Sequence, residues 1–412
     1  MKRKRRKQAL KKKQHQIKTL HIYLPMRVMH IILMLLALRL PLYARGIPLD
    51  SVYLSTSSAE YQKLFFTRLD YYQSIGAQFI DSGIVYAGWL NGKQVTYIKE
   101  SGNTNVVIIN TIATRKAYPL YQFKGTVISA RISSNGAYIA IKYFNTNKIP
   151  QPELLLIHIP KKTIKVLQTA SAGIDYSFSR DGNSFYYKHN NCIVEVMGDS
   201  YRENDILCRD NAPQWDENTV ILDYSNHRLF VSGSSGNYDV YVHTYQSWKK
   251  LFTAITPAEV FITNNSVFYT AGFPGGYTVN LYSLQSGKTQ RVLPASFNPS
   301  LHMMGNTAIF LNNAFITLYD SSKNKLLPTT IESDEAIVSP DLFSIASTLY
   351  SRLFILPTAN ILALDPQSKR YLATIESQYT LISQKKSMYT SPYSSTYIQQ
   401  KKATIASLLK LF

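Results

Sequence analysis

The residues that could carry catalysis or bind a metal do not occur here at the spacings such sites use. The eight histidines are scattered, and the sequence contains no His-Glu-x-x-His, no Cys-x-x-Cys and no glycine-rich phosphate loop. The histidines at 158, 189, 227 and 243 each lie in or beside a predicted strand, where an ordinary packed or surface histidine is expected. We therefore predict no metal site and no cofactor.

The serines are also not arranged as a hydrolase nucleophile. A nucleophile elbow needs Gly-x-Ser-x-Gly, and the nearest segment, Gly233-Ser234-Ser235-Gly236, has the wrong spacing. The 25 acidic residues do not cluster as calcium ligands would. No catalytic residue is predicted on this basis.

A turn flanked by two strands recurs along the chain, and it explains many of the polar residues. Clear copies span residues 132–140, 178–186, 224–231 and 338–346. Asn-Gly and Asp-Gly accept the positive φ of a tight turn, while Ser and Asp oxygens bond nearby backbone N–H groups. The residues to which we assign this structural role are Ser133, Gly136, Ser179, Asp181, Gly182, Ser225, Ser339 and Asp341.

A second hairpin lies between successive turns, as in residues 156–167 and 279–293, with comparable segments at 240–251, 315–327 and 361–372. Two hairpins in about 43 residues give four strands per repeat, which is the signature of a propeller blade. We therefore predict an all-β fold, a β-propeller of about seven four-stranded blades over residues 77–378. A short N-terminal helix and a C-terminal helical tail complete the prediction.

These repeats resemble those of the TolB-like β-propeller family, whose blades carry a Phe-Ser-Pro-Asp-Gly-x-x-Ile-Ala-Phe-type motif. Residues 178–187 and 338–346 are most similar to it, and Ala212-Pro213-Gln214-Trp215 resembles its lead-in. The resemblance implies a bacterial envelope propeller, but a shared fold does not fix activity. Only about 30 residues separate the N-terminal segment from the first repeat, so the α/β domain of the Tol protein is not expected.

The first 45 residues hold 13 Lys and Arg and no Asp or Glu. A basic run precedes an apolar stretch at 28–38 and a small residue, Ala44, which is typical of a secretory signal peptide. The apolar stretch is shorter than the roughly 20 residues of a membrane-spanning helix. We expect export to the periplasm, with translation starting at Met1 or Met26. An uncleaved anchor, a twin-arginine signal and a basic tail that binds nucleic acid remain alternatives.

The rest of the chain is only mildly basic, because its 32 Lys and Arg exceed the 25 Asp and Glu by seven. That balance does not indicate nucleic-acid binding. It leaves a protein or a glycan of the cell envelope as the expected partner.

Two helical segments flank the repeats. After a linker from residue 46, Ser57 and Glu60 read as a capping box, and Gly76 as the stop of the first helix. Arg68 lies within its apolar stripe and is expected to extend its charge outward. The tail from 379 is predicted to be polar, ending in an amphipathic helix with Ile405, Leu408, Leu409 and Phe412 on its apolar face. Packing against the propeller is expected for both helices; binding to a partner, or to a membrane for the tail, is the alternative.

Cys192 and Cys208 are predicted to form a disulfide. The segments 192–196 and 205–208 read as neighbouring strands, and a hairpin turning about Ser200 sets the two cysteines opposite each other. Directly opposed residues have Cβ atoms about 4.5–5.5 Å apart, near what a disulfide requires. Two reduced structural cysteines are the alternative, because a register shift of one residue would separate them.

Two functions remain open. The first is a non-catalytic binding scaffold that presents one face of the propeller to its partner. The second is an enzyme of lactonase, hydrolase or dehydrogenase type with a site in the central channel. Converging carboxylates or histidines in the channel would favour catalysis, whereas a Tyr/Ser/Asn lining would favour binding.

Overall fold

The computed structural model describes residues 49–412, apart from the short segments 146–151, 169–175, 180, 190–191, 198–200, 209–219, 226–227, 233–237, 245–246, 255–256, 263–265, 274–275, 297–300, 305–306 and 321. The predicted signal segment, its cleavage position near Ala44, and the Tol-like lead-in at 212–215 lie outside the described residues.

The strands pair into seven four-stranded antiparallel sheets. Sheets 1 to 3 contain β2 (Ile84–Asn91), β3 (Gln94–Ser101), β4 (Thr104–Thr111) and β5 (Lys116–Lys124); β6 (Thr126–Ile132), β7 (Tyr138–Phe144), β8 (Pro152–His158) and β9 (Thr163–Gln168); β10 (Tyr176–Phe178), β11 (Ser184–His189), β12 (Cys192–Met197) and β13 (Arg202–Cys208). Sheets 4 to 6 contain β14 (Val220–Ser225), β15 (Arg228–Ser232), β16 (Tyr238–Thr244) and β17 (Ser247–Ala254); β18 (Pro257–Ile262), β19 (Ser266–Phe273), β20 (Gly276–Ser283) and β21 (Thr289–Ser296); β22 (Leu301–Met304), β23 (Thr307–Asn312), β24 (Phe315–Asp320) and β25 (Lys325–Glu332).

Sheet 7 joins the two ends of the propeller sequence. Its strands β26 (Glu335–Val338), β27 (Ser344–Leu349) and β28 (Arg352–Pro357) are completed by β1 (Gln78–Ser82), which pairs with β28. Because the chain leaves β1 directly into sheet 1, this pairing ties the last sheet to the first.

The sheets stack face to face around an axis. The first strands of neighbouring sheets pack against each other, β6 and β10 through the contact of Ser129 with Tyr176, and β2 of sheet 1 packs against β26 of sheet 7. The first strands therefore form the inner ring. Each apolar core lies between two neighbouring sheets: Ile98 of sheet 1 packs with Ile139 and Ile141 of sheet 2, for example. Because a sheet buried on both faces needs apolar side chains in both directions, strands such as β7 are almost continuously apolar.

The prediction of an all-β propeller of four-stranded sheets with few helices is confirmed, but its predicted C-terminal boundary is wrong. The last strand ends at Pro357, and the segment 361–372, predicted as a hairpin, is mostly helical. The physical reason is an N-cap: the Asp365 carboxylate accepts a hydrogen bond from the Ser368 N–H at 2.7 Å, with Pro366 in the first turn. Tyr371, Ile375 and Tyr379 then recur at helical spacing and are buried.

Five α-helices lie outside the sheets in the described residues: α1 (Leu49–Tyr53), α2 (Ala59–Ser74), α3 (Thr358–Ile361), α4 (Pro366–Gln384) and α5 (Ser394–Leu409), with a 3-10 turn at Lys386–Met388. The predicted C-terminal helix is present, and the polar tail before it contains the end of α4 and the 3-10 turn. Its residues Ile405 and Leu408 are buried, as predicted, whereas Phe412 is exposed.

Two predicted details of α2 are wrong. The N-cap is Ser58 instead of Ser57, and its hydroxyl accepts a hydrogen bond from the Tyr61 N–H at 3.1 Å. Arg68 does not extend to solvent; its side chain is buried because two carboxylates and two tyrosine hydroxyls receive its N–H groups. The stop is as predicted, since Gly76 has φ +75° just after the helix.

Among the described residues, none of the helices combines the length and the apolar character that crossing a membrane would require.

Candidate site in the central channel

Five polar side chains from five different inner strands converge at the propeller axis. They are Tyr86 on β2, Arg131 on β6, Tyr176 on β10, His302 on β22 and Glu335 on β26. Glu335, Tyr176 and Arg131 all act electrostatically on the Tyr86 hydroxyl, and Arg131 also acts on His302. Groups on sheets 1, 2, 3, 6 and 7 can lie this close together only where the inner strands meet.

Arg131 provides the positive charge of this channel cluster. Its guanidinium carbon lies 5.8 Å from the centre of the Tyr176 ring, a cation–π distance. The Tyr176 hydroxyl is 2.9 Å from the Ser129 hydroxyl on the same strand as Arg131. These contacts hold the Tyr176 ring against the guanidinium.

His302 and Glu335 face each other from neighbouring sheets. The His302 Nε2 and the Glu335 Oε1 are 3.9 Å apart, longer than a hydrogen bond. Burial, helped by the Arg131 charge, lowers the pKa of His302 to about 4. His302 keeps a quarter of its side chain exposed, which fits a group enclosed by channel walls that water can still reach. At neutral pH this imidazole is uncharged, so it can donate and accept hydrogen bonds.

Tyr86 is a hydrogen-bond donor at neutral pH. Burial raises the pKa of its hydroxyl far above the ordinary value, and the negative charge of Glu335 acts in the same direction. The cluster thus combines one permanent cation, one carboxylate, a neutral imidazole and two phenols. Such a set can bind a polar ligand with both acidic and hydroxyl groups.

The turn residues predicted from the repeats lie at one end of the propeller and are not members of this cluster. In each described turn, the serine hydroxyl accepts from the N–H five residues on: Ser133 from Tyr138 at 2.9 Å, Ser179 from Ser184 at 2.9 Å and Ser339 from Ser344 at 3.0 Å. Asp181 and Asp341 accept from the serine hydroxyl of their own turn. Their role is structural; Ser225 ends β14, and its turn lies outside the described residues.

Successive turns also contact each other. The Asn135 amide donates to the Asn183 amide oxygen at 3.1 Å, from sheet 2 to sheet 3. A Cβ at Gly136 would lie 2.0 Å from the Leu90 carbonyl oxygen of sheet 1. The glycine therefore permits both the positive φ, +68°, and the close approach of the neighbouring sheet.

A shallow groove of about 670 Å³ lies between two of these turns, lined by Gly92, Lys93, Thr111, Pro340 and Asp341 among others. It is an open surface depression where sheet 7 meets sheet 1. Its one carboxylate, Asp341, already accepts a hydrogen bond from the Ser339 hydroxyl of its own turn at 2.6 Å.

A buried ionic network binds the helices to the last two sheets. Arg68 on α2 contacts Asp50 on α1 and Glu332 on β25, and Lys401 on α5 contacts the same Glu332. All four side chains are at most 5 % exposed. Two positive and two negative charges therefore neutralise one another inside the protein, as buried charges must.

Tyrosines satisfy the remaining bonds of this network. Tyr379 and Tyr397 donate to Asp50 at 2.7 and 2.5 Å, and Tyr371 donates to Glu332 at 2.7 Å. Burial would raise the pKa of Glu332, but the charges of Arg68 and Lys401 outweigh it and hold this pKa at about 2. Every group of the network has a protein partner, so we assign it to docking the helices and not to ligand binding.

The two cysteines are bonded to each other. Cys192 and Cys208 pair directly across β12 and β13, with Cα atoms 4.0 Å apart, and form a disulfide. The register slips by one residue after Ile193, so the hairpin does not turn symmetrically about Ser200. Cys192, Asp205 and Cys208 are the three potential metal ligands that lie together in the described residues, and the disulfide occupies both sulfurs.

Of the histidines considered from sequence, the two whose side chains are described are not in the channel cluster. His158 is buried and stacks on Tyr138, and the ring of His189 lies beside Tyr187. His227 and the side chain of His243 are outside the described residues.

Sequence reasoning missed the channel residues because each lies in a different repeat. No local motif joins Arg131, His302 and Glu335. One local signal could have identified them. The strand directly before a repeat turn is the inner strand of its sheet, so a charged or imidazole side chain in that strand indicates a residue of the central channel.

No protein-family model and no curated protein matches the sequence. Among solved structures, the chain is similar to TolB from Acinetobacter baumannii, with 15% identity over 64% of this chain and 63% of that one, at a TM-score of 0.42. It is also similar to oligogalacturonate lyase from Vibrio parahaemolyticus, with 9% identity over 68% of this chain and 91% of that one, at 0.47. A prolyl endopeptidase gives 13% identity over 73% and 55%, at 0.46.

The chain thus spans less than two thirds of the length of that TolB. The fold assignment rests on the seven sheets and their packing. Similarities at these scores leave the activity of this chain open.

Proposed function

We propose that this chain is an exported binding protein whose central channel takes a polar ligand, a glycan or a protein segment, that carries a carboxylate. The observation that supports this proposal is the convergence of Arg131, Tyr86 and Tyr176 with His302 and Glu335. A guanidinium donates paired N–H bonds to the two oxygens of a carboxylate. Aromatic rings beside it offer a flat surface to a sugar ring or a peptide side chain.

Binding is favoured over catalysis by what the channel side chains do to each other. The Ser129 hydroxyl, beside the cluster, is hydrogen-bonded to the Tyr176 hydroxyl at 2.9 Å. The separation of 3.9 Å between the His302 Nε2 and the Glu335 Oε1 is longer than the hydrogen bond that joins a catalytic base to its orienting carboxylate. The cluster therefore has the recognition groups of a ligand site without an activated nucleophile among its described members.

The experiment is a thermal-shift and calorimetric titration of the purified protein with glucuronate, glucose and an N-acetylated dipeptide with a free carboxyl group. Binding of either carboxylate, but not of glucose, is expected. Arg131→Met should weaken it by about tenfold or more, since a charge-assisted bond is lost. Arg115→Met, on an exposed turn, is the matched control. Equal binding by wild type and Arg131→Met would overturn the proposal.

A channel enzyme is the second candidate, favoured by one observation. His302 is neutral at neutral pH and lies 3.9 Å from the Glu335 carboxylate, and an unprotonated imidazole can act as a general base. Turnover of an ester, lactone or glycoside that is lost in His302→Gln and in Glu335→Gln would establish catalysis instead of binding.

Export is proposed from the basic run and the short apolar segment that ends near Ala44. An oxidising compartment also suits the disulfide. N-terminal sequencing of the native protein should find the mature chain beginning near Arg45. A cytoplasmic protein that retains Met1 or Met26 would contradict the proposal.

A further inference from the structure

One end of the propeller carries a positive charge that repeats from sheet to sheet. In a four-stranded antiparallel sheet, the turn between the first and second strands and the turn between the third and fourth lie at the same end. The contacts of Asn135 with Asn183 and of Gly92 with Asp341 show that neighbouring sheets place these turns side by side. We call this the turn end.

Six sheets place an exposed basic residue at the turn end, at or near the start of their fourth strand. These residues are Lys116, Lys162, Arg202, Lys249, Lys288 and Lys325. The described turns at the opposite end, residues 101–104, 313–314 and 350–351, contain no Lys or Arg. Lys124 and Arg352 do lie in strands beside these turns, but more of the basic residues of the described ranges lie at the turn end.

Fewer carboxylates than basic residues lie at the described turn end. Asp181, Asp320 and Asp341 keep their charge while they accept hydrogen bonds within their own turns, and Asp320 also lies 3.5 Å from Lys323, a further basic residue of this end. Glu203 does pair with Lys165, which is on β9 and is not one of the six residues. The turn end is therefore a positively charged rim around the propeller.

An apolar tip extends from the same end. The turn of sheet 7 has Leu342 and Phe343 where the turns of sheets 2 and 3 have Gly136-Ala137 and Gly182-Asn183. Leu342 has φ +65°, in the left-handed region that its counterparts occupy as glycine. Phe343 is 76% exposed, and Leu342 is 42% exposed. The hydrogen bonds of this turn match those of the turns in sheets 2 and 3. The strained leucine and the exposed phenylalanine are therefore not needed to form it.

The apolar area continues next to this tip. Thr358 at the start of α3 donates its N–H to the Phe343 carbonyl at 2.9 Å and its hydroxyl to the Leu342 carbonyl at 2.8 Å. Leu362 and Leu364, which follow α3, are also exposed. Exposed apolar side chains beside a basic rim are the two features that hold a protein on an anionic bilayer.

The geometry points to an anionic lipid bilayer as the partner of the turn end, with Leu342 and Phe343 inserted among the lipids and the basic rim facing the headgroups. A soluble polyanion would use the lysines but not the apolar tip. The two parts together select a charged surface with an apolar interior. This surface shares no residue with the channel cluster, so either proposal can fail without the other.

The test uses the full chain with Phe343→Trp and vesicles of phosphatidylcholine with or without phosphatidylglycerol and brominated acyl chains. The fluorescence of the introduced tryptophan, taken as the difference from wild type, should shift to shorter wavelength and be quenched only when phosphatidylglycerol is present. Phe66→Trp, equally apolar and 58% exposed on α2, is the matched control and should not be quenched. This readout is specific to the tip, so binding through the basic N-terminal segment does not produce it.

Two further variants test the two parts of the surface. The double variant Leu342→Gly with Phe343→Asn gives these two positions the residues that the sheet 3 turn has at 182 and 183. It should fold normally and bind vesicles more weakly. Lys116→Gln with Lys325→Gln should weaken vesicle binding by about fivefold for each lysine that contacts the bilayer. The loss should be smaller at high salt, because salt screens the attraction between lysine and headgroup. Absence of quenching at position 343, equal quenching at 66 and 343, or equally tight binding to heparin without quenching would overturn the proposal.

Discussion

The guanidinium of Arg68 on α2 binds both carboxylate oxygens of Glu332 on β25, at 2.8 and 2.9 Å, although the two residues are 264 positions apart. Glu332 also receives Lys401 from α5. One carboxylate at the end of sheet 6 therefore fixes a helix that precedes the propeller and a helix that follows it. The strand β1, which completes sheet 7, follows α2 in the chain. The contact of Arg68 with Glu332 therefore also helps to hold the ring of sheets closed.

Glu332→Gln should destabilise the protein by about 3–5 kcal/mol, because it leaves two buried cations with one carboxylate fewer. The measurement is urea unfolding followed by fluorescence. Glu60→Gln breaks the exposed ion pair with Lys385 and serves as the control, with no change expected in the unfolding midpoint. Equal midpoints for both variants would mean that the buried network does not hold the helices.

Gly136→Ala should be more harmful than Gly102→Ala. Both glycines have positive φ, +68° and +60°, so both substitutions introduce strain of about 1 kcal/mol. Only the Cβ at position 136 meets a backbone atom, the Leu90 carbonyl oxygen at 2.0 Å, whereas nothing lies within 4 Å at position 102. A difference of roughly 1–3 kcal/mol in unfolding free energy is expected. Identical losses would contradict close docking of the turns.

Stability should fall in acid because of His302. Its folded pKa, about 4, is below the unfolded value near 6.5, so the unfolded chain binds the proton more readily. The free energy of unfolding therefore decreases as pH falls from about 6.5 to 4, by on the order of 2–3 kcal/mol in total. Glu332, with a pKa of about 2, adds a loss below about pH 4.5. Wild type and His302→Gln compared at each pH isolate the first window, and parallel curves would contradict the assignment.

Replacing both cysteines with serine should lower the free energy of unfolding by roughly 3 kcal/mol, since the crosslink closes a short loop in the unfolded chain. Thiol titration of the native protein after unfolding without reductant should detect no free thiol. Two titratable thiols per chain would show that the cysteines are reduced in the native compartment.

The repeats themselves determined much of this protein. The spacing of Ser133, Ser179 and Ser339 relative to their strands was enough to predict the turns, the four-stranded sheets and the propeller, because such turns and alternations are local chemistry. The opposition of Cys192 and Cys208 also followed from one hairpin. Both kinds of inference need only residues close together in the chain.

Tertiary structure decided the rest. Arg68 looked like a misplaced charge until Asp50, Glu332 and the tyrosines of α4 and α5 surrounded it. His302 and Glu335 looked like unrelated residues until two inner strands brought them to 3.9 Å. Their protonation depends on burial and on neighbours from distant repeats, and no local pattern in the sequence encodes those distances.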